Sequence, residues 1–169
     1  MLEQFKRITI SQYQAALRTI ENCVTLCPNE TWDQPVHELT FDQALFHAVF
    51  WADLYLSDSI EDCKAQPFHD QHGTVFQGYE ELEPIRPQHR YDRDFANEYI
   101  DYCVQKVSEN VLAATASSLE EPVSFEWLDL SRAELHLYNI RHIQHHAAQV
   151  ILRLRQEHNA EIGWVKQGE

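Results

Sequence analysis

The chain has 169 residues, of which 44% are hydrophobic, so it is long enough to bury a core and is predicted to form a single domain over residues 1–169. It contains four Gly and six Pro beside eight Phe, seven Tyr and four Trp, a composition that excludes collagen-like, low-complexity and disordered chains. The formal net charge of −14 has the wrong sign for a protein that neutralises phosphates, so we expect no nucleic-acid partner.

The cysteines and the N-terminal residues favour a cytoplasmic protein. Four cysteines lie in stretches with helical periodicity and form no Cys-x-x-Cys pair, so we interpret them as reduced thiols that face the core. The N-terminal residues MLEQFKRITISQ lack the apolar stretch of a signal peptide. The long uncharged run from Gln43 to Ala52 is too short to cross a bilayer, so no membrane partner is expected.

Four long segments carry helical periodicity, and no comparable segment alternates with the period of two typical of a half-buried strand, so we predict an all-α fold. The first predicted helix runs from about Ile10 to Cys27 and ends at Pro28. The second runs from Thr40 to about Cys63, and Thr40 pairs with Gln43 in a capping box. Apolar residues cover most of its circumference, so we expect other helices to surround it.

The second half of the chain supplies the remaining predicted elements. Residues 65–92 show no clear period, which indicates a long connection that is functional or contains a short helix. The third predicted helix covers about Arg93 to Ser118. The fourth opens with a capping box formed by Ser131 and Glu134 and continues to about His158. Four such helices predict a four-helix bundle with a long connection between helices 2 and 3.

The informative segment is the histidine-rich middle of the fourth predicted helix. Residues four apart lie on one face of a helix, so His142 and His146 can present imidazole nitrogens to a single metal ion. His145 competes with them for this role. A helical projection places His146 inside the apolar arc, His142 on its margin and His145 outside it. The predicted inward pair is therefore His142 and His146.

A third metal ligand is predicted at His47, the only histidine in the apolar second helix. Catalytic zinc-type sites have three protein ligands and an open position, and three neutral imidazoles leave a divalent cation with its full charge. Each of these histidines taken alone is more often an ordinary core or surface residue. Their coincidence carries the prediction, because three unpartnered imidazoles in one apolar interior are costly to bury and a shared cation removes that cost.

Motifs for other chemistries are absent from the sequence. No Glu lies between His142 and His146, which excludes a zincin metalloprotease, and no Glu-x-x-His pair ends at these histidines, which excludes a di-iron bundle site. Gly-x-Gly-x-x-Gly, Walker A and Gly-x-Ser-x-Gly motifs are also missing. Nucleotide binding, serine hydrolysis and dithiol redox chemistry therefore have no support.

The histidines stand in a pattern that resembles the DinB/YfiT-like family. The pattern consists of two segments, Leu45-Phe-His47-Ala-Val-Phe-Trp51 in the second helix and Asn139-x-x-His142-x-x-His145-His146-x-x-Gln149 in the last. In that family the last motif often continues with Arg-Gly-Gln, where this chain has Ala147-Ala148-Gln149, a departure that touches no predicted ligand. The resemblance covers nearly the whole chain in helix order and length, and its specific part is these short segments.

The resemblance implies a four-helix bundle, commonly a homodimer, that binds nickel, zinc or a similar divalent ion through three histidines. By position these correspond to His47, His142 and His146. Some members similar to this chain are thiol S-transferases or isomerases that use bacillithiol, mycothiol or glutathione, and others are described as metal-dependent hydrolases. The expected partner is thus a small-molecule substrate, with water or a low-molecular-weight thiol in the remaining position of the metal. No catalytic acid or base is assigned.

Two other hypotheses stay open. A non-catalytic protein could use the metal only to tie helices 2 and 4 together, and it would melt on metal removal without turning over any thiol or ester. An interaction module without metal could use an apolar surface to dimerise, and replacing His47 would then change only local packing. The role of His145 is open, as is whether Arg86, His89 and Arg90 hold an anionic cosubstrate or are simply solvated.

Overall fold

The computed structural model describes residues 1–82 and 86–168, and residues 83–85 of the predicted connection lie outside this part. The described chain is mostly helical, with one hairpin of two two-residue antiparallel strands, so the predicted all-α class is confirmed at this level. The elements are α1 (Leu2–Leu26), β1 (Pro35–Val36), β2 (Leu39–Thr40), α2 (Phe41–Leu54), α3 (Ile60–Lys64), α4 (Pro67–Gln71), α5 (Gly73–Phe76), α6 (Arg93–Ala113), α7 (Ala116–Glu120) and α8 (Arg132–His158).

The long helices α1, α2, α6 and α8 surround one hydrophobic core. Helix α1 packs mainly against α6 and α8, and α2 packs against the same two helices from the opposite side. Almost every side chain of α2 is buried, as its nearly continuous apolar surface predicts, whereas His47 is only partly buried. The four cysteines are buried and form no disulfide, which confirms their interpretation as core thiols. No helix in the described residues is long and apolar enough to span a membrane.

Helix α1 begins at Leu2, eight residues before the predicted start at Ile10. The inward stripe continues upstream of Tyr13 at intervals of four residues through Thr9 and Phe5. Thr9 is only 3% exposed, and the ring of Phe5 lies 6.3 Å from that of the α8 residue His136. The polar Thr9 interrupted the apolar period in the sequence, although its side chain lies in the interface.

The second predicted helix is divided, so its predicted end at Cys63 was wrong. Helix α2 stops at Leu54, the chain turns, and Ser59 caps a separate helix α3 by accepting a hydrogen bond from the backbone N–H of Asp62. A serine that bonds the backbone in this way competes with continuation of a helix. Residues 55–59 form the turn between the two helices.

The third predicted helix is divided for the same reason. Helix α6 ends at Ala113 rather than at Ser118, and the hydroxyl of Thr115 caps the short helix α7 by accepting from the backbone N–H of Ser118. The fourth prediction is confirmed. Helix α8 covers Arg132–His158, and the hydroxyl of Ser131 caps its first turn within a capping box.

The connection between α2 and α6 contains the short helices α3, α4 and α5, in agreement with the expectation that it could contain helix. Its aromatic side chains enter the core. Phe76 and Tyr79 are 0% and 1% exposed, and the ring of Phe68 stacks on that of Tyr99 of α6 at 5.3 Å. The connection is therefore packed onto the long helices, beside the face of α2 that carries His47.

Candidate metal centre

The structure brings the three predicted ligands together between α2 and α8. His47 projects from α2 toward His142 and His146, which lie one turn apart on α8. Potential ligand atoms of the three side chains all lie within 4.8 Å of one another. The ring centroid of His47 lies 5.7 Å from that of His142 and 4.7 Å from that of His146. His145 is exposed and lies outside this group, as the helical projection predicts.

The two histidines of α8 face each other through their Nε2 atoms. These atoms are 3.2 Å apart. Two imidazole nitrogens bound tetrahedrally to one ion at about 2.0–2.1 Å lie about 3.4 Å apart. The observed separation suits an N–H···N hydrogen bond and is also close to the spacing of two ligands of one ion.

The hydrogen bonds of the Nδ1 atoms indicate which ring nitrogens are available to a metal ion. Nδ1 of His146 lies 2.8 Å from Oε1 of Gln149, and since a carbonyl oxygen only accepts, Nδ1 carries the proton and Nε2 keeps its lone pair. Nδ1 of His47 lies 2.6 Å from the hydroxyl of Tyr79. Nδ1 of His142 is buried and has no hydrogen-bond partner among the described residues. Metal-binding histidines typically hold their second nitrogen in a hydrogen bond, as His47 and His146 do here.

All three imidazoles are kept neutral by their surroundings. Burial, followed by the proximity of His146, lowers the pKa of His47 to about 3. Burial and then the neighbouring histidines lower the pKa of His142 to about 3, and burial also lowers the pKa of His146. Neutral imidazole is the form that binds metal, so an ion meets no competing protons here near pH 7.

One side of the centre is closed and the other is open. The aromatic rings of Trp51 and Tyr55 each lie 6.3 Å from the ring of His142 and close the inner side. On the outer side is a cleft of about 360 Å³ with His47 and His146 in its wall. The other lining residues are Val36, His37, Glu38, Leu39, Ala44, Arg86, Gln149 and Leu152. The three histidines therefore leave room for an additional small ligand.

The basic residues at the end of the connection have structural partners. Arg90 binds the buried carboxylate of Asp42 through two hydrogen bonds of 2.8 and 3.0 Å. Arg86 pairs with Glu38 of the hairpin turn, and Nε2 of His89 lies 3.1 Å from the carbonyl oxygen of Gln77. These contacts hold the end of the connection against α2 and the hairpin. The side chain of Arg90 is half-exposed, but its guanidinium is engaged by Asp42 and is therefore not a free anion-binding group.

A second group with potential metal ligands lies further along α2, around a residue six positions after His47, and the sequence analysis missed it. Asp53, Cys63 and His69 are buried, and their ligand atoms also lie within 4.8 Å of one another. The carboxylate of Asp53 accepts from Nζ of Lys106 at 2.5 Å and from the hydroxyl of Tyr99 at 2.8 Å. The ammonium group of Lys106 thus lies beside this carboxylate, where a metal ion would otherwise bind.

The partners of His69 in this second group favour its charged form. Its Nε2 lies 2.7 Å from the carboxylate of Asp53 and its Nδ1 contacts the carboxylate of Glu80. Both carboxylates only accept, so both ring nitrogens donate. Burial alone would lower the pKa of His69, but the two carboxylates outweigh it and the pKa is raised. With Lys106, the group forms a balanced ion network, which we call the Asp53 network (Asp53, His69, Glu80 and Lys106), and it already contains its cations.

The sequence held a signal for the Asp53 network. Asp53 is a carboxylate near the end of an otherwise apolar helix, and it is 0% exposed. A carboxylate buried at such a position requires a cation or several hydrogen-bond donors. Its partners come from the connection and from α6, so the sequence indicates the need for partners without identifying them.

Comparisons of the chain with protein-family models, curated proteins and solved structures found no match. The function of the centre is therefore inferred from its donor atoms, their protonation and their access to solvent. The resemblance to the DinB/YfiT-like family stays a prediction.

Proposed function

We propose that the protein binds one divalent metal ion, nickel or zinc, through His47, His142 and His146, and that it is a metal-dependent enzyme of the thiol S-transferase or hydrolase type. The observation that carries this proposal is the meeting of three neutral imidazoles within 4.8 Å, two of which, those of His47 and His146, line an open cleft. We further propose that the helices form a four-helix bundle of the DinB/YfiT-like type.

The long helices provide the rigidity that such a site needs. His142 and His146 are spaced by one turn of α8, a helix of 27 residues with a capping box at its start. His47 lies in the middle of α2, which is buried nearly all round. The relative positions of the three side chains thus depend on the packing of two helices and on no mobile loop.

The donor set suits a catalytic ion better than a structural one. Structural zinc sites usually have four protein ligands, whereas in the described residues this group contains three. Bound there, a divalent ion supplies Lewis acidity and lowers the pKa of a water or thiol that reaches it. This arrangement favours the enzyme hypothesis over a metal that only ties α2 to α8.

The cleft indicates the kind of substrate. Its apolar lining includes Val36, Leu39 and Leu152, and its polar lining includes Gln149 and the ion pair of Arg86 with Glu38. A volume of about 360 Å³ accommodates a small molecule with both apolar and polar parts. We therefore propose a small-molecule substrate, with a low-molecular-weight thiol or water as the second reactant.

The metal proposal is tested by elemental analysis of tag-free protein purified without chelator. We expect about one equivalent of nickel or zinc in the wild-type protein and its loss in His142→Ala. The matched control is His145→Ala, which removes an exposed imidazole from the same helix and should retain the metal. Absence of metal from the wild type, even after reloading with excess ion, would overturn the proposal.

The reaction and the assembly are tested separately. Metal-loaded protein and His142→Ala are compared in thiol-transfer and ester-hydrolysis assays, and turnover by the loaded wild type alone is expected. Stoichiometric metal without turnover of any substrate would favour the non-catalytic alternative.

We also propose that the protein is a homodimer, as the family resemblance implies. Light scattering should then give twice the chain mass of 19.9 kDa, and the chain mass itself would contradict the proposal.

A further inference from the structure

Tyr79 contacts one of the three histidines from outside the cleft. Its hydroxyl lies 2.6 Å from Nδ1 of His47, and its side chain is 1% exposed. This contact occupies Nδ1 and leaves Nε2 of His47 as the nitrogen available to a metal ion. When Nδ1 donates its proton to the phenol oxygen, the lone pair of Nε2 is free, and the hydrogen bond fixes the rotation of the imidazole ring.

The ring of Tyr79 is held firmly in the core. It meets the rings of Phe46 and Phe50 edge-on, at centroid distances of 5.1 and 4.6 Å. Both phenylalanines belong to α2, the helix that carries His47. The backbone N–H of Tyr79 donates to the carbonyl oxygen of Phe76 at 3.0 Å. The phenol therefore has a defined position relative to α2.

The Asp53 network anchors the chain directly after Tyr79. Glu80 contacts His69, which in turn bonds Asp53 of α2, and Lys106 of α6 joins the same carboxylate. Asp53 lies six residues after His47 on α2, so one helix carries both the histidine and the anchor of its partner. Charged hydrogen bonds between buried groups are strong and directional, which restricts movement of the segment that holds Tyr79.

We infer that Tyr79 is a positioning residue of the metal centre. Its hydroxyl holds the ring of His47 so that Nε2 faces His142 and His146, and the Asp53 network holds Tyr79. This inference rests on the proposed function, because it concerns the affinity of the same three histidines for a metal ion. It assigns a role to the connection between α2 and α6, which contributes no ligand of its own to the proposed site.

The variant Tyr79→Phe removes the hydroxyl and keeps the aromatic ring. Its matched control is Tyr91→Phe, which makes the same chemical change in the same aromatic cluster. Tyr91 is 3% exposed and stacks on Phe46 at 3.9 Å, and its hydroxyl has no hydrogen-bond partner among the described residues. A loss that arises from core packing alone would affect the two variants alike.

The experiment measures zinc affinity by competition with a chromophoric chelator, and it records the visible absorption spectrum of each protein loaded with cobalt. We expect Tyr79→Phe to bind zinc about 10–100-fold more weakly than the wild type and to give an altered cobalt spectrum. Tyr91→Phe should match the wild type in both. Equal affinities and spectra for Tyr79→Phe and Tyr91→Phe would overturn the inference while leaving the proposed function intact.

A second measurement on the wild type decides the question if Tyr79→Phe does not fold. Long-range proton–nitrogen spectra of the zinc-loaded protein report which ring nitrogen of His47 binds the metal. We expect zinc at Nε2 and a proton on Nδ1, and zinc at Nδ1 would overturn the inference. Failure of the wild type to bind zinc would overturn the proposed function and this inference together.

Discussion

Helix α2 contributes to two clusters that each bring three potential metal ligands close together and that differ in chemistry. His47 meets His142 and His146 in one cluster, and Asp53 meets Cys63 and His69 in the other, with the ligand atoms of each cluster within 4.8 Å of one another. The histidine cluster contains neutral groups beside an open cleft, whereas the Asp53 network contains anions already matched by a lysine and a protonated histidine. Proximity of ligand atoms therefore does not by itself indicate a metal site, because the protons that the ligands already hold decide whether an ion can enter.

The largest effect is expected from breaking the Asp53 network. Asp53→Asn removes the anion and leaves the cations of Lys106 and His69 buried, which should lower the free energy of unfolding by about 3–5 kcal/mol. Asp101→Asn, at the exposed pair with Arg18, serves as control and should change it by less than about 1 kcal/mol. Urea denaturation measures both values. Similar losses in the two variants would show that the buried network contributes no more to the free energy of unfolding than the exposed pair does.

The next largest effect is expected from zinc binding to the cluster of His47, His142 and His146. Zinc at a hundredfold excess over its dissociation constant should raise the free energy of unfolding by about 2.7 kcal/mol, because it binds only the folded state. His142→Ala should abolish this gain and His145→Ala should keep it. Denaturation with zinc and with chelator gives the two values for each protein. A gain retained in His142→Ala would place the bound ion elsewhere.

The clusters should respond to pH in opposite directions. The folded-state pKa values of His47 and His142, about 3, lie below the ordinary value of 6.5, so the unfolded state binds more protons between these limits. The metal-free protein should therefore lose stability as the pH falls through this range. The raised pKa of His69 makes a contribution that is present below pH 6.5 and is lost as the pH rises through its folded-state pKa.

Variants separate these two contributions. His47→Ala should reduce the loss of stability on acidification, and His69→Gln should remove the loss at rising pH. The measurement is urea denaturation of the metal-free proteins at pH 5, 7 and 9. An unchanged pH profile in either variant would contradict the protonation state inferred for that histidine.

The smallest effect is expected at Cys63, whose thiol lies beside Asp53. Burial and the Asp53 carboxylate raise the pKa of Cys63, and a protonated thiol does not bind metal. Cys63→Ala should therefore retain about one equivalent of zinc or nickel by elemental analysis. A fall from two equivalents to one on this substitution would reveal a second metal site.

Local patterns predicted a large part of the fold and of the candidate centre. The spacing of four residues placed His142 and His146 on one face of a helix, and the apolar surroundings of His47 predicted that it points inward. The predicted helix ends were wrong where short polar side chains cap a new helix, as Ser59 and Thr115 do. Serine and threonine are compatible with a helix interior as well as with a cap, so composition alone does not distinguish the two.

The sequence by itself determined the helical class and the side of each helix on which His47, His142 and His146 lie, because helical periodicity relates residues that are near each other along the chain. Only the tertiary structure decided that Tyr79 contacts His47, that Asp53 meets Lys106 and His69, and that a cleft opens beside the centre. These pairings join separate elements through the connection between α2 and α6. The packing of this connection depends on complementary shape and charge across the core, and hydrophobic periodicity in the sequence does not predict these contacts.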